Sequence, residues 1–136
     1  MLIQGQNHLL LTDANGKPVQ VSERGTLLIS GTLKDETGAP IPLASLGTLL
    51  LTVYARDLAA TPIVNGINSV DIKNTGRGTV HATSGAFTLL LTDADLTIQD
   101  VTSSVEFHTA QIAGTYGART FKSLIDYAVE NLPKVT

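Results

Sequence analysis

The sequence predicts an all-β protein built as an antiparallel sandwich or barrel, and its turns and its strand composition support this. Turn-forming residues interrupt the 136-residue chain at short intervals, and segments rich in Leu, Val, Ile and Thr lie between them. Short strands separated by turns roughly every 8–12 residues are typical of sandwiches and barrels. The turn segments are residues 13–18, 35–40, 65–66, 74–78 and 83–85.

The predicted strands make up the regular part of the chain. They cover residues 26–34, 48–56, 78–82, 85–92 and 103–113, and the third is expected to pair with the fourth. In the second strand, the odd positions from Leu49 to Ala55 are apolar, whereas the even positions from Leu50 to Arg56 are mixed, which is typical of a strand with one drier face. Thr is frequent in these segments, and as a β-branched residue it favours extended structure.

Two segments allow other structures. Residues 92–96 are typical of a single capped turn of helix, with Thr92 or Asp93 as the N-cap. Residues 121–132 fit two periodicities. A strand would place Phe121, Ile125, Tyr127 and Val129 on one face, and a helix would place Phe121, Leu124, Ile125, Ala128, Val129 and Leu132 on one stripe. Periodicity does not decide between them, and the strand is preferred because of the all-β context and the resemblance described below.

The composition is that of one domain with an aliphatic core and a weakly charged surface. Hydrophobic residues make up 43% of the chain but aromatic residues only 4%, so the core must consist mostly of Leu, Ile, Val and Ala. Charged residues make up 15%, which is below the roughly 25% usual in soluble domains. Because a freely diffusing monomer normally carries more charge, this composition favours a protein that packs against neighbours.

Residue types alone disfavour several classes of function. The chain has no Cys, which removes disulfides, thiolate metal sites and cysteine nucleophiles. Its net charge of −3 argues against non-specific nucleic-acid binding, which needs a basic face. Residues 1–8 lack the pattern of a secretory signal, and the apolar runs are far shorter than the roughly 18 residues of a membrane span. We therefore expect a soluble protein that is made in a cytosol.

The sequence offers no convincing catalytic constellation. His8, His81 and His108 are isolated in sequence, and none lies in an HExxH-like motif or beside a G-x-S-x-G serine. Glu106 and His108 alternate along one predicted strand, so they could form an acid–base or metal site on one face. We favour the simpler interpretation that they belong to a polar strand face exposed to solvent or to an interface.

Two further groups also have simpler structural interpretations. Asp93, Asp95 and Asp100 supply carboxylates of the kind that Ca²⁺ prefers, but the segment lacks the Gly and the terminal Glu of an EF-hand loop. Capping of a turn explains these acids. Gly76-Arg77-Gly78 has no helix after it, so we expect a hairpin tip rather than a phosphate-binding loop.

Arginines and aromatic residues are the remaining candidates for binding residues. Arg24 and Arg119, which lie close to glycines, could anchor an interface. The aromatic residues are too few and too scattered for a nucleic-acid stacking platform, and we expect them in the core. They are Tyr54, Tyr116, Tyr127, Phe87, Phe107 and Phe121. The sequence thus predicts no catalytic, cofactor-binding or metal-binding residues and no enzymatic activity.

A series of weak structural motifs runs from Gly25 to Leu132, over about four-fifths of the chain. It comprises the strand 26–33, a D-x-x-G-x-P-I-x-L turn at 35–43, an L-x-L-T-V-Y strand at 49–54, an insertion with residues 63–67, a Gly-led strand at 85–89, the turn 92–95, a Glu106-x-His108 strand and the closing segment 121–132. This order resembles small phage and prophage structural proteins with an immunoglobulin-like β-sandwich. It is similar in particular to the N-terminal module of the phage baseplate upper protein.

The resemblance implies an immunoglobulin-like antiparallel sandwich over residues 25–136. Residues 1–24 lie outside the resembling region and are expected to form an extra hairpin or arm that clasps neighbouring subunits. Contacts are expected through sheet edges, this arm and the loop at 57–68. Proteins of this kind are virion components without enzymatic residues, so no active site and no cofactor is carried over.

Within this class we expect a capsid decoration (cement) protein that stabilises the head by subunit–subunit contacts. The alternative is a tail, baseplate or head–tail connector component, and a ligand-binding β-sandwich adhesin module is less favoured. The expected location is the virion, after synthesis in the cytoplasm of the bacterial host. The expected partners are the major capsid protein or tail and baseplate subunits, with a homo-oligomer in the assembly and with neither nucleic acid nor membrane.

Overall fold

The computed structural model describes residues 2–4, 6–10, 20–35, 37–73 and 75–131. These residues form ten strands, and two short 3-10 segments at Leu43–Ser45 and Asp93–Leu96. The strands are β1 (Leu2–Gln4), β2 (Gln6–Leu10), β3 (Gln20–Ser22), β4 (Thr26–Lys34), β5 (Leu46–Ala55), β6 (Val70–Asp71), β7 (Gly78–Val80), β8 (Ala86–Thr92), β9 (Val105–Tyr116) and β10 (Arg119–Glu130). None of the described segments is a helix long and apolar enough to cross a membrane.

The strands form two sheets that share one core. The first sheet has the order β1-β4-β8-β7, and the second has the order β2-β10-β9-β5-β6 with β3 also paired to β10. Inward-facing residues of both sheets belong to one buried cluster, which includes Leu27, Ile29, Leu33, Phe87, Leu89 and Leu91 from the first and Leu49, Leu51, Val53, Ile112, Ile125 and Tyr127 from the second. This confirms the predicted all-β sandwich, and the finer immunoglobulin-like assignment stays a prediction.

The C-terminal segment is a strand, as preferred from its context. β10 pairs antiparallel with β9 along its whole length, from Arg119 opposite Tyr116 to Glu130 opposite Val105. Gly117 takes a positive φ of 60° in the short turn between them, a conformation that glycine adopts without a steric penalty. The residues that the strand periodicity placed on one face are buried: Phe121, Ile125, Tyr127 and Val129. The helical stripe is incidental, because β9 supplies the partner that a strand requires.

Most of the other predicted elements are confirmed. The predicted strand at 26–34 is β4, the segments at 78–82 and 85–92 pair as β7 and β8, and the remaining two are the longer β5 and β9. Thr92 is the N-cap of the turn that follows β8. The Asp95 carboxylate accepts a hydrogen bond from the Thr92 N–H at 3.0 Å, which fixes the start of the turn.

The N-terminal strands do not form the predicted hairpin. β1 runs parallel to β4 in the first sheet, whereas β2 and β3 run parallel to β10 in the second. A hairpin around the predicted turn would pair β2 with β3, but both run in the same direction along β10, one after the other. The sandwich therefore contains parallel pairings and is not purely antiparallel. The alternative of an arm stays a prediction. The predicted turn at 13–18 lies outside the described residues, and the division into 1–24 and 25–136 stays a prediction.

The predicted hairpin tip at residues 76–78 is also wrong. β6 pairs with β5 in the second sheet and β7 pairs with β8 in the first. The segment between β6 and β7 therefore carries the chain from one sheet to the other. A Cβ on Gly78 would lie 2.6 Å from the Ile72 carbonyl oxygen, so the close approach of these two backbones requires glycine.

A substitution of Gly114 tests how closely β9 packs against the Phe121 ring and the backbone at Thr48. A Cβ at this position would lie 2.6 Å from two ring carbons of Phe121 and 2.7 Å from the Thr48 carbonyl oxygen. We expect Gly114→Ala to reduce the free energy of unfolding by about 1–3 kcal/mol, because overpacking forces neighbours to shift. Urea titration measures this. The matched control is Gly76→Ala, which has no atom within 4 Å of its Cβ, and equal losses in the two variants would contradict the packing argument.

Candidate functional site

Outward side chains of three strands of the first sheet form a face that we call the Thr/Leu face. It consists of the outward side chains Thr26, Leu28, Ser30 and Thr32 of β4, Thr79 of β7, and Ala86, Thr88, Leu90 and Thr92 of β8. None of these residues is charged. Interface cores are depleted of charged residues, so a face of this composition is compatible with a contact surface.

An apolar ridge crosses the Thr/Leu face. Leu28 is 61% exposed and Leu90 is 38% exposed. They are direct cross-strand partners in the β4–β8 register, so their side chains lie side by side. Beside the ridge is a hollow of about 640 Å³, whose floor includes the small outward residues Ser30 and Ala86. The face therefore has a relief of one ridge and one adjacent hollow.

The free edge of β5 is covered by the insertion between β5 and β6. Val53 and Val64 are joined by an N–H to carbonyl hydrogen bond of 2.9 Å, and the Val53 N–H donates to the Ile67 carbonyl, also at 2.9 Å. The Ile72 N–H donates to the Leu49 carbonyl at 2.9 Å. Val64, Ile67 and Ile72 are buried in the core. The loop at 57–68 thus includes part of the core and closes a sheet edge, in addition to its exposed residues.

Asp95 joins three segments of the chain near the covered edge of β5. Its buried carboxylate accepts hydrogen bonds from Arg77 Nη1 at 2.5 Å and from Asn65 Nδ2 at 3.0 Å, in addition to the Thr92 N–H. Burial by itself raises the pKa of Asp95, but these hydrogen bonds outweigh it and hold the pKa below its usual value. We call Asp95, Arg77, Asn65 and Thr92 the Asp95 junction. It connects the β5–β6 insertion, the crossover to β7 and the end of β8.

Glu106 and His108 are buried in the core, which contradicts the prediction of an exposed or interfacial polar strand face. His108 Nε2 lies 2.6 Å from Glu106 Oε1. The Glu106 carboxylate also accepts the backbone N–H groups of Gln99 and Asp100, the latter at 2.7 Å. Burial lowers the pKa of His108, although the hydrogen bond to Glu106 and its charge act in the opposite direction. The pair therefore holds the loop before β9 against the sandwich.

A third buried carboxylate, that of Asp126, lies on the outer side of the second sheet. Asp126 accepts a hydrogen bond from Arg56 Nη1 at 2.7 Å and one from the Thr109 hydroxyl at 2.5 Å. The Arg56 guanidinium also binds Asp57 and stands 4.6 Å from the centre of the Phe107 ring. The pKa of Arg56 is raised, first by its hydrogen bond to Asp57 and then by Asp126. This cluster anchors the end of β5 to β10.

The structure does not bring the other predicted candidates together. His81 is exposed, and its Nδ1 accepts the backbone N–H groups of Thr83 and Ser84. Asp93 binds Arg24 in an exposed ion pair of 3.1 Å, and Asp100 binds Thr102 and Ser103. Within the described ranges, no three His, Asp or Glu side chains form a group that could hold a metal ion. The His8 side chain lies outside the described part of the chain.

The predicted aromatic core is confirmed in part. Phe87, Phe121 and Tyr127 are buried, whereas Tyr54, Tyr116 and Phe107 are half-buried. The role of Arg24 and Arg119 as interface anchors stays a prediction. Sequence reasoning did not single out Leu28 and Leu90, although the alternation in their strands placed both opposite the inward-facing positions. The strand pattern was the available signal, and only the sheet register shows that they are neighbours.

The comparisons with solved structures include a low-level similarity to a phage domain. The N-terminal domain of phage TP901-1 ORF48 is 15% identical in sequence with a TM-score of 0.40, and the match covers 95% of this chain and 98% of that chain. No family model matches the chain, and no curated protein matches it.

The Asp95 junction is tested by Asp95→Asn. The variant keeps the shape of the side chain but weakens its bonds to Arg77 and Asn65, so we expect a loss of about 1–3 kcal/mol in the free energy of unfolding. Chemical denaturation measures this. The matched control is Asp93→Asn, whose ion pair with Arg24 is exposed and should be worth less than about 1 kcal/mol. A loss in Asp95→Asn no larger than in the control would contradict the structural role of the junction.

The buried His108 predicts a pH dependence of stability. Because its pKa in the fold is below the usual 6.5, the unfolded chain binds the proton first, so stability is complete above this pH and declines as the pH falls below it. We expect His108→Gln to flatten the decline in unfolding free energy between about pH 7 and pH 5. An unchanged slope in His108→Gln would show that another group is responsible.

Proposed function

We propose that this chain is a non-enzymatic structural protein of a phage particle that acts through protein–protein contacts. The observation that supports the proposal is the Thr/Leu face, which combines exposed Leu28 and Leu90 with Ser, Thr and Ala and has no charged residue. A partner can cover such a face without removing charges from water, a step that costs several kcal/mol per ion in a poorly matched contact. The phage context is proposed from the sequence resemblance.

Within this role, we propose a capsid decoration protein that binds the shell and stabilises the head by contacts with capsid subunits and with copies of itself. The position on the shell is proposed from the sequence prediction, and the face supports an assembly role in general. Each contact needs only modest strength, because many weak contacts that are repeated around a symmetric particle add up. The proposed location is accordingly the virion, and the proposed partners are other virion proteins.

The mode of contact proposed from the structure differs from the one expected from the sequence. Edge-strand pairing with a partner requires free backbone N–H and C=O groups. The insertion takes up such groups of β5 at Val53 and Ala55, and Ile72, which follows β6, takes up one at Leu49. The Thr/Leu face is therefore the proposed contact surface, in place of the β5 edge and the loop at 57–68.

The experiment that tests this function locates the protein in purified particles of the phage or prophage that encodes it. Mass spectrometry of the particles establishes whether the chain is a component, and cryo-electron microscopy locates it. Density for the sandwich on the shell is the expected result. Density on the tail or baseplate would contradict the decoration role and favour the alternative structural role. Absence from complete particles would overturn the proposal as a whole.

A further inference from the structure

The β5–β6 insertion contains an Asn-Gly pair in a tight turn beside the Asp95 junction. Asn65 has a φ of 52° and Gly66 a φ of 66°, and the Ile67 N–H donates to the Val64 carbonyl across them at 3.0 Å. Positive φ at both central residues is typical of a type I′ turn. Both residues are exposed, but Asn65 Nδ2 donates to the buried Asp95 Oδ1 at 3.0 Å. A side chain that solvent reaches thus also holds the insertion in place.

In an Asn-Gly pair the side-chain amide is open to attack by the backbone nitrogen of the glycine. The Gly66 nitrogen and the Asn65 Cγ close a five-membered ring, and glycine has no Cβ to hinder the approach. The place of a Cβ on Gly66 is open space, with nothing within 4 Å, so solvent base reaches this peptide group. Asn is for this reason among the thermolabile residues.

We propose that Asn65 is a site of spontaneous deamidation and that this modification releases the β5–β6 insertion from the Asp95 junction. The junction must open before the reaction, because the hydrogen bond to Asp95 and the turn fix the side chain and the backbone that move together to close the ring. The rate in the folded protein is then the intrinsic rate multiplied by the fraction of molecules with an open junction. The inference does not rest on the proposed function.

The reaction needs only water and base. The Gly66 nitrogen gives its proton to solvent base and forms a bond to the Asn65 Cγ, while the bond from Cγ to Nδ2 breaks and Nδ2 leaves as ammonia with a proton from water. The cyclic imide then takes up a water molecule. Cleavage between the Gly66 nitrogen and Cγ gives aspartate, and cleavage between that nitrogen and the main-chain carbonyl carbon gives isoaspartate. No electrons are transferred, and the net change is the uptake of water and the release of ammonia.

The product does not fit the junction. The ionised Asp95 carboxylate offers only acceptors, and the new carboxylate offers no donor to it. Two ionised carboxylates at hydrogen-bond distance repel each other, and isoaspartate also lengthens the main chain of the turn. The insertion covers the β5 edge by accepting the N–H groups of Val53 and Ala55. Its release therefore frees backbone groups that pair with another extended segment.

Peptide mapping of the full chain by mass spectrometry measures the reaction. Trypsin cleaves after Arg56 and Lys73, so Asn65 and Asn68 lie in one peptide, which does not contain Asn15-Gly16. Folded protein at mildly alkaline pH should accumulate aspartate and isoaspartate at Asn65, whereas Asn68, which is also exposed but precedes a Ser, should stay intact. In guanidinium chloride, conversion at Asn65 should be at least about tenfold faster. Equal rates in folded and unfolded protein, or a folded protein in which Asn65 stays as intact as Asn68, would overturn the proposal.

Two variants show which opening controls the rate. Asp95→Asn weakens the junction and should speed conversion at Asn65 at least about fivefold. Gly114→Ala is the matched control, because its overpacking at Phe121 and Thr48 lowers the stability of the whole fold without a contact to the junction. Its conversion rate should stay near that of wild type. If both variants speed conversion equally, the reaction proceeds through global unfolding, which contradicts control by the junction.

The release of the insertion is tested with Asn65→Asp, which introduces the product carboxylate on a normal backbone. The matched control is Asn68→Asp, which adds the same charge to the same insertion at an exposed side chain that is not among the described donors to Asp95. Hydrogen exchange followed by nuclear magnetic resonance measures the edge. We expect the Val53 and Ala55 amides to exchange at least about tenfold faster in Asn65→Asp than in the control. Equal protection of these amides in the two variants would overturn the proposed release.

Discussion

The Asp95 carboxylate is the contact on which the closure of this sandwich depends. Two sheets that pack face to face leave an open side between their edge strands, and here the edge strands β6 and β7 belong to different sheets and leave such a side. The chain closes it with the β5–β6 insertion and the crossover to β7, neither of which is regular secondary structure. Asp95 binds Asn65 of the first and Arg77 of the second, and it caps its own turn at Thr92. One buried carboxylate thereby replaces the backbone ladder that a longer strand would supply.

Buried carboxylates also hold neighbouring segments in place at Glu106 and Asp126. Glu106 accepts the N–H groups of the loop before β9, and Asp126 holds Arg56 at the end of β5. Buried carboxylates are costly unless several donors satisfy them, and each of these three has at least two. The chain has only 12 acidic residues, so the burial of three makes an already weakly charged surface still less charged.

Local pattern and tertiary context contributed differently to what could be predicted. The bounds of β4 and the capped turn at Thr92 follow from residues adjacent in sequence, so they were predictable. Residues 121–132 were ambiguous because their apolar positions satisfy both periods, and only pairing with β9 decides between them. The burial of Glu106 and His108 was not predictable, since alternation identifies a shared face but not the loop that covers it. Asn65 and Arg77 likewise reach Asp95 across 30 and 18 residues, a separation that no local signal spans.

The covered β5 edge and the exposed Thr/Leu face together determine which surfaces of the sandwich a partner can reach. An edge strand with free backbone groups pairs with any extended segment and therefore selects its partners poorly. A sheet face is recognised by its surface shape, because a partner must fit both the ridge and the hollow. With the β5 edge occupied by residues 62–72, the proposed contact surface is the exposed Thr/Leu face. We expect each contact made through a surface of Thr, Ser, Ala and two leucines to be weak and reversible. Weak contacts allow subunits to correct their positions during assembly, and symmetric repetition then makes the assembled state stable.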